Sequence, residues 1–468
     1  MKTFRYCGVL VALLACSIAR ADVKVPAIFG DHMVIQRGMK VPVWGTASAG
    51  EKVTVKAAGQ EQSATTGDDG KWRVTLDPID AKEPIEMTIA GKNTITFADV
   101  LVGEVWLCSG QSNMGFTLKT ASNAEEAIKA ADQPRIRLFT VGRAIPDQPQ
   151  ANLAGGKWEV CSPQNVGGFS AVAYFFGLTL QQKLDQPIGL IQSSWGGTRA
   201  EAWMPRATFD SLKLPYEPAW TQEWLHPKQN PAATKPTPER PHEAPAVLFN
   251  GMIAPLAGYA MRGAIWYQGE TNTVYGEQYR DVLAALVTSW RDAWQQGDFP
   301  FLIVQLPNFR NNRFWPITRE AQAQVARDLK NVGLVVTIDV GNPTNIHPTN
   351  KLPVGKRLAA VAQKIAYGQD VPYTGPTFQS MKIDGESAMI RFDHVEGGLV
   401  SKGALQGFQI AGADGKFVTA QAKIDGDTVV LHADGVTSPK VVRYGWENDP
   451  TCTLYNAADF PAAPFEAR

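Results

Sequence analysis

Between about residue 100 and residue 367, apolar runs alternate with helical patterns, and this alternation limits the possible folds more than any other feature. Buried strands that alternate with helices are typical of a parallel sheet with helices on both faces. We therefore predict an α/β fold whose ligands bind at the carboxyl ends of the strands. The predicted strands cover residues 105–110, 135–141, 187–197 (with an exit loop), 262–270, 299–307 and 332–340. The predicted helices cover residues 171–184, 277–294, 318–329 and 354–367.

Two β-like regions flank this part of the chain. Residues 22–98 contain short, alternating, β-branched segments separated by turns, which indicates a small antiparallel sandwich. The same pattern returns in residues 372–468, with Asp-Gly turns. We therefore predict an N-terminal β-sandwich region at 22–98, an α/β domain at 99–371 and a C-terminal β region at 372–468. The sequence leaves open whether the two β regions form one sandwich.

A Pro-rich segment without a regular period interrupts the α/β pattern at residues 225–245. This composition predicts a long surface loop. Such a loop is either a passive excursion of the chain or a lid at the rim of a binding site, and the sequence does not decide between them.

The first 21 residues have the pattern of a signal peptide. Lys2 and Arg5 form a positive region, an apolar stretch follows, and Ala19-Arg20-Ala21 is typical of a cleavage site. We predict export to the periplasm or the medium. The alternative is a lipoprotein anchored through Cys16, but the residues before this Cys fit a lipoprotein box less well. No later apolar run is long enough to predict a membrane-spanning segment.

Composition argues against several classes of partner. The chain has 45 Lys and Arg and 45 Asp and Glu, so no basic excess points to nucleic acid. Two of the five Cys lie in the predicted signal peptide, and no Cys/His spacing is typical of a zinc site. We therefore predict neither a metal nor another cofactor.

Polar residues follow three of the predicted strands. Ser112 in "SGQSNM" stands on a tight turn, where a Ser exposes its hydroxyl and its backbone N–H. Gly196 and Gly197 in "SSWGG" let a backbone N–H approach a ligand. Gln268 in "WYQGETN" can donate hydrogen bonds without adding charge. Each residue alone is equally typical of a helix cap or a tight turn, but together they suggest a nucleophile with oxyanion donors.

A Ser nucleophile needs a general base. Of the six His, His347 alone lies in a strand-to-helix loop of the predicted sheet, and His226 and His242 in the Pro-rich segment are the alternatives. Asp339 ends the preceding strand and could hold the imidazole in its working tautomer. These residues would form an acyl-transfer site without a metal.

Four runs, "DVLVGEVWLCSGQSNM", "SSWGGTRAEAW", "WYQGETN" and "IHPTNK", resemble the sialate O-acetylesterase family. The resemblance covers nearly the whole mature chain, including "RYGWENDPTCTLYNAADFPAAPF" near its end. It implies an SGNH-type, flavodoxin-like three-layer α/β/α domain. It also implies a carbohydrate O-acetylesterase whose substrate is acetylated sialic acid or a hemicellulose such as xylan or xyloglucan.

Carried over to this chain, the resemblance makes Ser112 the nucleophile and His347 the base. The oxyanion hole would comprise the Ser112 N–H, an N–H of Gly196 or Gly197, and the Gln268 side chain. Supporting roles are expected for four further residues: Asn113, Glu270, Asn272 and Asn345.

The sialate O-acetylesterase family belongs to the SGNH hydrolase superfamily, and the chain departs from that superfamily at the acidic residue of the catalytic triad. The superfamily usually places an Asp three residues before the His, and here that position is Thr344, followed by Asn345. Asp339 is the first choice as the residue that orients His347. Asn345 or a backbone carbonyl is the second.

The sequence is also compatible with two other functions. Glu201 and Glu270 could act as the paired carboxylates of a glycoside hydrolase, although structural hydrogen bonds or ion pairs would explain both. A non-catalytic carbohydrate-binding protein, using the Trp residues of the β regions, is the other alternative.

Overall fold

The computed structural model describes residues 22–215, 240–310 and 315–468. The predicted signal peptide and its Cys16 lie outside these ranges, as do residues 225–239 of the Pro-rich segment with His226. The N-terminal strands are β1 Val34–Gln36, β2 Val41–Thr46, β3 Lys52–Ala57, β4 Gln60–Thr65, β5 Lys71–Leu76, β6 Ile85–Ala90 and β7 Thr94–Gly110. The next strands are β8 Gln133–Thr140, β9 Trp158–Cys161, β10 Ile188–Ser194, β11 Gly263–Tyr267, β12 Phe301–Val304 and β13 Val332–Val335.

The remaining elements are the C-terminal strands and the helices. The strands are β14 Thr377–Asp384, β15 Ser387–Asp393, β16 Leu399–Ser401, β17 Phe408–Ala411, β18 Val418–Thr419, β19 Gln421–Asp425, β20 Thr428–His432, β21 Val441–Tyr444, β22 Leu454–Asn456 and β23 Phe465–Ala467. The α-helices are α1 Ala124–Lys129, α2 Ala171–Leu184, α3 Arg206–Ser211, α4 Tyr279–Trp294, α5 Trp315–Asp328 and α6 Leu352–Ile365. Short 3₁₀ segments include Ala200–Trp203 and Glu270–Gln278, and Phe249–Ile253 forms a π turn.

The central sheet has the strand order β13-β12-β11-β7-β10-β8-β9. All neighbouring pairs are parallel except the edge pair of β8 and β9. The predicted α/β fold with a parallel sheet is therefore confirmed. The antiparallel edge strand β9 was not predicted, because four residues in a long irregular connection carry little periodic signal.

Helices cover both faces of this sheet, as the alternation of buried side chains along the strands requires. Val105 and Leu107 of β7 pack into one core, whereas Trp106 and Cys108 point to the other. Helices α4 and α5 contribute to the first core and α2 and α6 to the second. The layers are therefore helix, sheet and helix.

Strand β7 links the N-terminal β region to the central sheet. Its first half pairs with β6 and β1, and its second half pairs with β10 and β11. The strand is 17 residues long and runs across residue 98, where we predicted that the N-terminal region ends. Side chains of β2, β3 and β5 belong to the same buried cluster as α4, so the two parts share one core.

The C-terminal strands have a core of their own and form separate sheets. The larger sheets have the orders β14-β15-β20-β19 and β18-β17-β21-β23. Within the described residues, no strand of this region pairs with a strand of the N-terminal region.

A fully buried arginine, Arg319 on α5, joins the C-terminal region to the central domain. Its guanidinium donates to five backbone carbonyl groups: those of Leu306, Pro307, Gly445, Glu447 and Asn448. The first two follow β12, whereas the other three follow β21. Because the planar guanidinium carries five N–H donors, one side chain satisfies carbonyl groups from both segments.

We expect Arg319→Met to destabilise the protein by about 3 kcal/mol or more, because it leaves several buried carbonyl groups without a donor. Thermal and denaturant unfolding of the purified variant would measure the loss. Arg327→Met is the matched control, because this arginine lies on the same helix with an exposed side chain. Equal unfolding midpoints for the two variants would contradict the role given to Arg319.

Candidate active site

The turn after β7 depends on a glycine. Gly110 has a φ of +139°, and a Cβ atom at this position would lie 2.1 Å from the carbonyl oxygen of Tyr267. The next residue, Gln111, donates its backbone N–H to the same carbonyl oxygen at 3.0 Å. Because only glycine tolerates this backbone conformation and this close contact, the chain can turn here and leave Ser112 partly exposed at the edge of the sheet.

Ser112 and His347 contact each other, although 235 positions separate them in the chain. The distance from Ser112 Oγ to His347 Nε2 is 2.8 Å. His347 lies in the loop between β13 and α6 and is partly buried. Its backbone N–H donates to Asn345 Oδ1 at 2.9 Å, and the N–H of Asn345 donates to Asn342 Oδ1 at 3.0 Å. Short amide side chains thus satisfy the backbone of a loop without regular structure.

The structure does not bring Asp339 to His347. The Asp339 carboxylate accepts two hydrogen bonds from Arg357, at 2.6 and 2.7 Å, and one from the Tyr455 hydroxyl at 3.2 Å. The two N–H groups of a guanidinium match the two oxygens of a carboxylate in this bidentate geometry. The Asp339 carboxylate is therefore paired with Arg357 and not with His347. Within the described residues, no carboxylate lies within hydrogen-bonding distance of the His347 ring.

Asn345, the second choice as the orienting residue, binds the backbone of His347 and not its ring. It therefore shapes the loop and does not select the tautomer of the imidazole. No backbone carbonyl within the described residues accepts a hydrogen bond from the ring either.

The segment after β10 passes beside Ser112. The Trp195 N–H donates to the Gly110 carbonyl at 3.2 Å, and a Cβ atom on Gly196 would lie 3.3 Å from Ser112 Cβ. Gly197 instead faces Arg240, whose guanidinium nitrogen would lie 2.3 Å from an added Cβ atom. Of the two predicted glycines, Gly196 is the one that the structure places against Ser112.

Gln268 is fully buried and uses its amide within the protein. Its Nε2 donates to the Thr198 carbonyl at 3.1 Å and to Asn272 Oδ1 at 2.7 Å, and its Oε1 accepts from the Tyr279 hydroxyl at 2.7 Å. Asn272 in turn donates to Glu201 Oε2 at 2.9 Å. Since both N–H groups of Gln268 have protein acceptors, the predicted oxyanion donor instead ties the loop after β11 to the loop after β10.

A buried polar cluster lies directly behind the turn that carries Ser112. The Glu270 carboxylate is 2% exposed and accepts from Asn113 Nδ2 at 2.5 Å and from Gln111 Nε2. Asn113 Oδ1 accepts from Lys351 Nζ at 2.5 Å. The sequence predicts no role for Lys351, which stands four residues after His347 in "IHPTNK". A lysine in a loop is normally a solvated surface residue, so its residue type gave no reason to place it at the site. Its position close to His347 was the one signal that could have indicated this.

Burial and neighbouring charge shift the pKa values of these groups. Burial raises the pKa of Glu270 and lowers the pKa of Lys351 to about 7, against the attraction of the Glu270 carboxylate. Burial and, to a smaller extent, the Lys351 charge lower the pKa of His347 from its ordinary value of 6.5. His347 is therefore neutral at neutral pH and can accept the proton of Ser112.

His242, one of the alternative bases, lies elsewhere on the rim. Its ring stacks on Trp195 with the ring centroids 5.0 Å apart, and the Arg143 guanidinium lies 5.0 Å from the same indole. Burial, aided by two nearby arginines, lowers the pKa of His242. Of the His residues that the structure describes, His347 is the one that binds Ser112.

Glu201 and Glu270 do not form an open pair of carboxylates. Both are buried, and amide side chains hydrogen-bond to each of them. A glycoside hydrolase needs two carboxyl groups that reach the sugar from opposite sides of the scissile bond. The structural interpretation of these two residues is therefore the better one.

Across residues 22–215, 240–310 and 315–468, no group of three or more His, Cys, Asp or Glu residues could hold a metal ion. Over the same ranges, no helix has the length and apolar character needed to span a bilayer.

Comparisons with known proteins identify related carbohydrate esterases. A carbohydrate esterase family model, described as sialic acid-specific acetylesterase, matches residues 242–364. The sialate O-acetylesterase of Rattus norvegicus is 28% identical over 100% of this chain and 99% of its own length. The human sialate O-acetylesterase is 29% identical over 91% of this chain and 88% of its own.

A solved structure extends the similarity to the whole fold. The crystal structure of a carbohydrate acetylesterase from Xanthomonas citri superposes with a TM-score of 0.87 at 37% sequence identity. The match covers 96% of this chain and 100% of that one. The chain therefore belongs to the sialate O-acetylesterase family, and it is a carboxylic ester hydrolase of the carbohydrate acetylesterase type.

Proposed function

We propose that this enzyme removes O-acetyl groups from sugars through an acetyl-serine intermediate on Ser112. The observation that carries the proposal is the 2.8 Å contact between Ser112 Oγ and His347 Nε2. It lies at the carboxyl edge of a parallel sheet, where α/β proteins bind their ligands. A hydroxyl with a neutral imidazole at hydrogen-bonding distance is an activated nucleophile.

The reaction follows from this geometry. His347 Nε2 accepts the proton while Ser112 Oγ attacks the acetyl carbonyl carbon and forms a tetrahedral oxyanion. The oxyanion collapses, the bond from carbon to the sugar oxygen breaks, and the imidazolium returns the proton to that oxygen. Water then attacks the acetyl-serine with His347 as the base again, and acetate leaves.

Backbone groups are the best oxyanion donors that the site offers. Within the described residues, neither the Ser112 N–H nor the Gly196 N–H has a protein acceptor, and both belong to segments that meet at Ser112. A donor of this kind contributes about 3–4 kcal/mol to transition-state stabilisation. Gln268 would have to break existing hydrogen bonds to take part.

The substrate is an acetylated sugar, either sialic acid or a hemicellulose such as xylan or xyloglucan. The named relatives support both the acetyl group and the carbohydrate. Acetate release from a panel of acetylated sialoglycans, xylan and xyloglucan would identify the sugar.

We expect Ser112→Ala to lower kcat for p-nitrophenyl acetate by at least about 10⁴-fold, because it removes the attacking oxygen. Ser109→Ala is the matched control: this buried hydroxyl on β7 has no hydrogen-bond partner among the described residues, so its loss should leave the rate unchanged. Rapid acid quenching followed by peptide mass spectrometry should locate one acetyl group on Ser112. Acetate release by Ser112→Ala at the rate of the unmodified enzyme would refute the proposal.

The pH profile tests the base. Only neutral His347 accepts the Ser112 proton, and its pKa lies below 6.5, so kcat/KM should stay high at pH 6.5 and fall at lower pH. Rates measured with p-nitrophenyl acetate from about pH 4 to pH 8 would show this fall, called the acid limb here. A half-maximal rate above pH 6.5 would contradict the environment assigned to His347.

We further propose that the protein is exported as a soluble enzyme after cleavage behind Ala21, on the basis of the charged, apolar and small residues in its first 21 positions. Expression of the full chain in a bacterial host, followed by mass spectrometry of the N-terminus, should find Asp22 as the first residue. A lipid-modified Cys16 at the N-terminus would show the lipoprotein alternative to be correct.

A further inference from the structure

We infer that Lys351 and Asn113 are positioning residues that hold the loop carrying His347 against the turn carrying Ser112. The inference deepens the proposed function and rests on it, since it concerns the geometry of the same nucleophile and base.

Asn113 is bonded to both sides of the active site. It directly follows Ser112, and its Nδ2 donates to the carbonyl oxygen of Ile346, the residue before His347, at 3.0 Å. Its Oδ1 accepts from Lys351 Nζ at 2.5 Å. The Asn113 side chain therefore connects the turn with Ser112 to Ile346 and Lys351, the residues on either side of His347 in its loop.

Glu270 determines which way this amide points. A carboxylate only accepts hydrogen bonds and an ammonium group only donates them. Glu270 Oε1 binds Asn113 Nδ2 at 2.5 Å, so the opposite end, Oδ1, must face Lys351. Gln111 also donates to Glu270 and secures the carboxylate on its other side. The clamp, defined as Lys351, Asn113 and Glu270, thus has one arrangement in which every group is paired.

Lys351 occupies a position that an uncharged residue would fill at lower cost. It is 1% exposed, and burying an ammonium group is unfavourable unless it is paired. Its compensation comes from Asn113 Oδ1, from the Glu270 charge and from two aromatic rings. Nζ lies 5.0 Å from the Phe116 ring and 5.2 Å from the Tyr267 ring, within the range of cation–π contacts. Such a costly arrangement beside a catalytic pair is typical of a functional role.

The clamp also accounts for what holds His347 in place. In the usual triad, a carboxylate orients the imidazole, and within the described ranges none lies on the His347 ring. The ring is instead positioned through its backbone, which the clamp fixes at Ile346 and Lys351. A misplacement of about 1 Å between reacting groups lowers rates by roughly 100-fold.

The Lys351 charge has a second effect, on the protonation of His347. Its pKa of about 7 means that Lys351 is protonated throughout the acid limb, and a positive charge there disfavours the imidazolium. The groups that face Lys351 are Glu270 and Tyr267 from the β11 side and His347 from its own loop. Removal of the Lys351 charge should therefore raise the pKa of His347.

Lys351→Met tests the inference, with Lys356→Met as the matched control because Lys356 is an exposed residue on α6. With p-nitrophenyl acetate, kcat of Lys351→Met should fall by about 10- to 100-fold while KM changes little, because positioning affects the attack itself. The acid limb should move to higher pH. Lys356→Met should keep the rate and the pH profile of the unmodified enzyme.

Asn113→Leu provides a second, independent variant, in case Lys351→Met does not fold. It should lower kcat to a similar extent, and the double variant should lose little more than the worse single variant, because the two residues act as one unit. Multiplicative losses in the double variant would overturn the inference.

The outcomes separate this inference from the proposed function. If Ser112→Ala abolishes activity while Lys351→Met retains its kcat, the clamp has no positioning role and the acetyl-serine proposal stands. A loss of kcat in Lys351→Met without a shift of the acid limb would overturn the effect assigned to the Lys351 charge. If Ser112→Ala remains active, the proposed function fails and the inference fails with it.

Discussion

The parallel pairing of β7 with β10 and β11 is the constraint on which the rest of the structure depends. In both ladders the last paired residue of β7 is Gly110, opposite Ser194 on one side and Tyr267 on the other. Three strands therefore end at the same level of the sheet. The loops that follow them begin side by side, so the turn with Ser112, the segment with Gly196 and the segment with Glu270 meet without long excursions of the chain.

The C-terminal region contacts the loop that carries His347 and holds it in place. Asp339 lies near the start of the long loop between β13 and α6 that carries His347. It pairs with Arg357 of α6 and with Tyr455 of β22. Arg319 joins the segment after β12 to the segment after β21. The two interactions tie the C-terminal strands to the part of the domain that presents His347. This gives Asp339 a structural task that differs from orienting the imidazole.

Much of the fold was predictable because its signals are local. The helix predicted at residues 171–184 is α2 with the same bounds, since its apolar pattern and its Ser170 cap belong to one segment. The helix predicted from residue 277 begins at Tyr279, after a 3₁₀ segment that the pattern does not distinguish. The domain boundary predicted at residue 98 lies inside β7, because a strand that changes partners midway has no sequence mark at the change.

The sequence alone was enough to identify the types of residue at the site, whereas the tertiary structure decided their partners. Ser112 follows a glycine turn and His347 lies in a loop of the sheet, so both could be found by position, and the structure brings them into contact. The partners of Asp339, Gln268 and Lys351 come from distant segments, and no local pattern encodes them. Hydrogen bonds are satisfied by whichever donor the fold brings near. Asp339, although close to His347 in sequence, thus pairs with Arg357. Lys351, for which the sequence suggests no role, instead becomes part of the site.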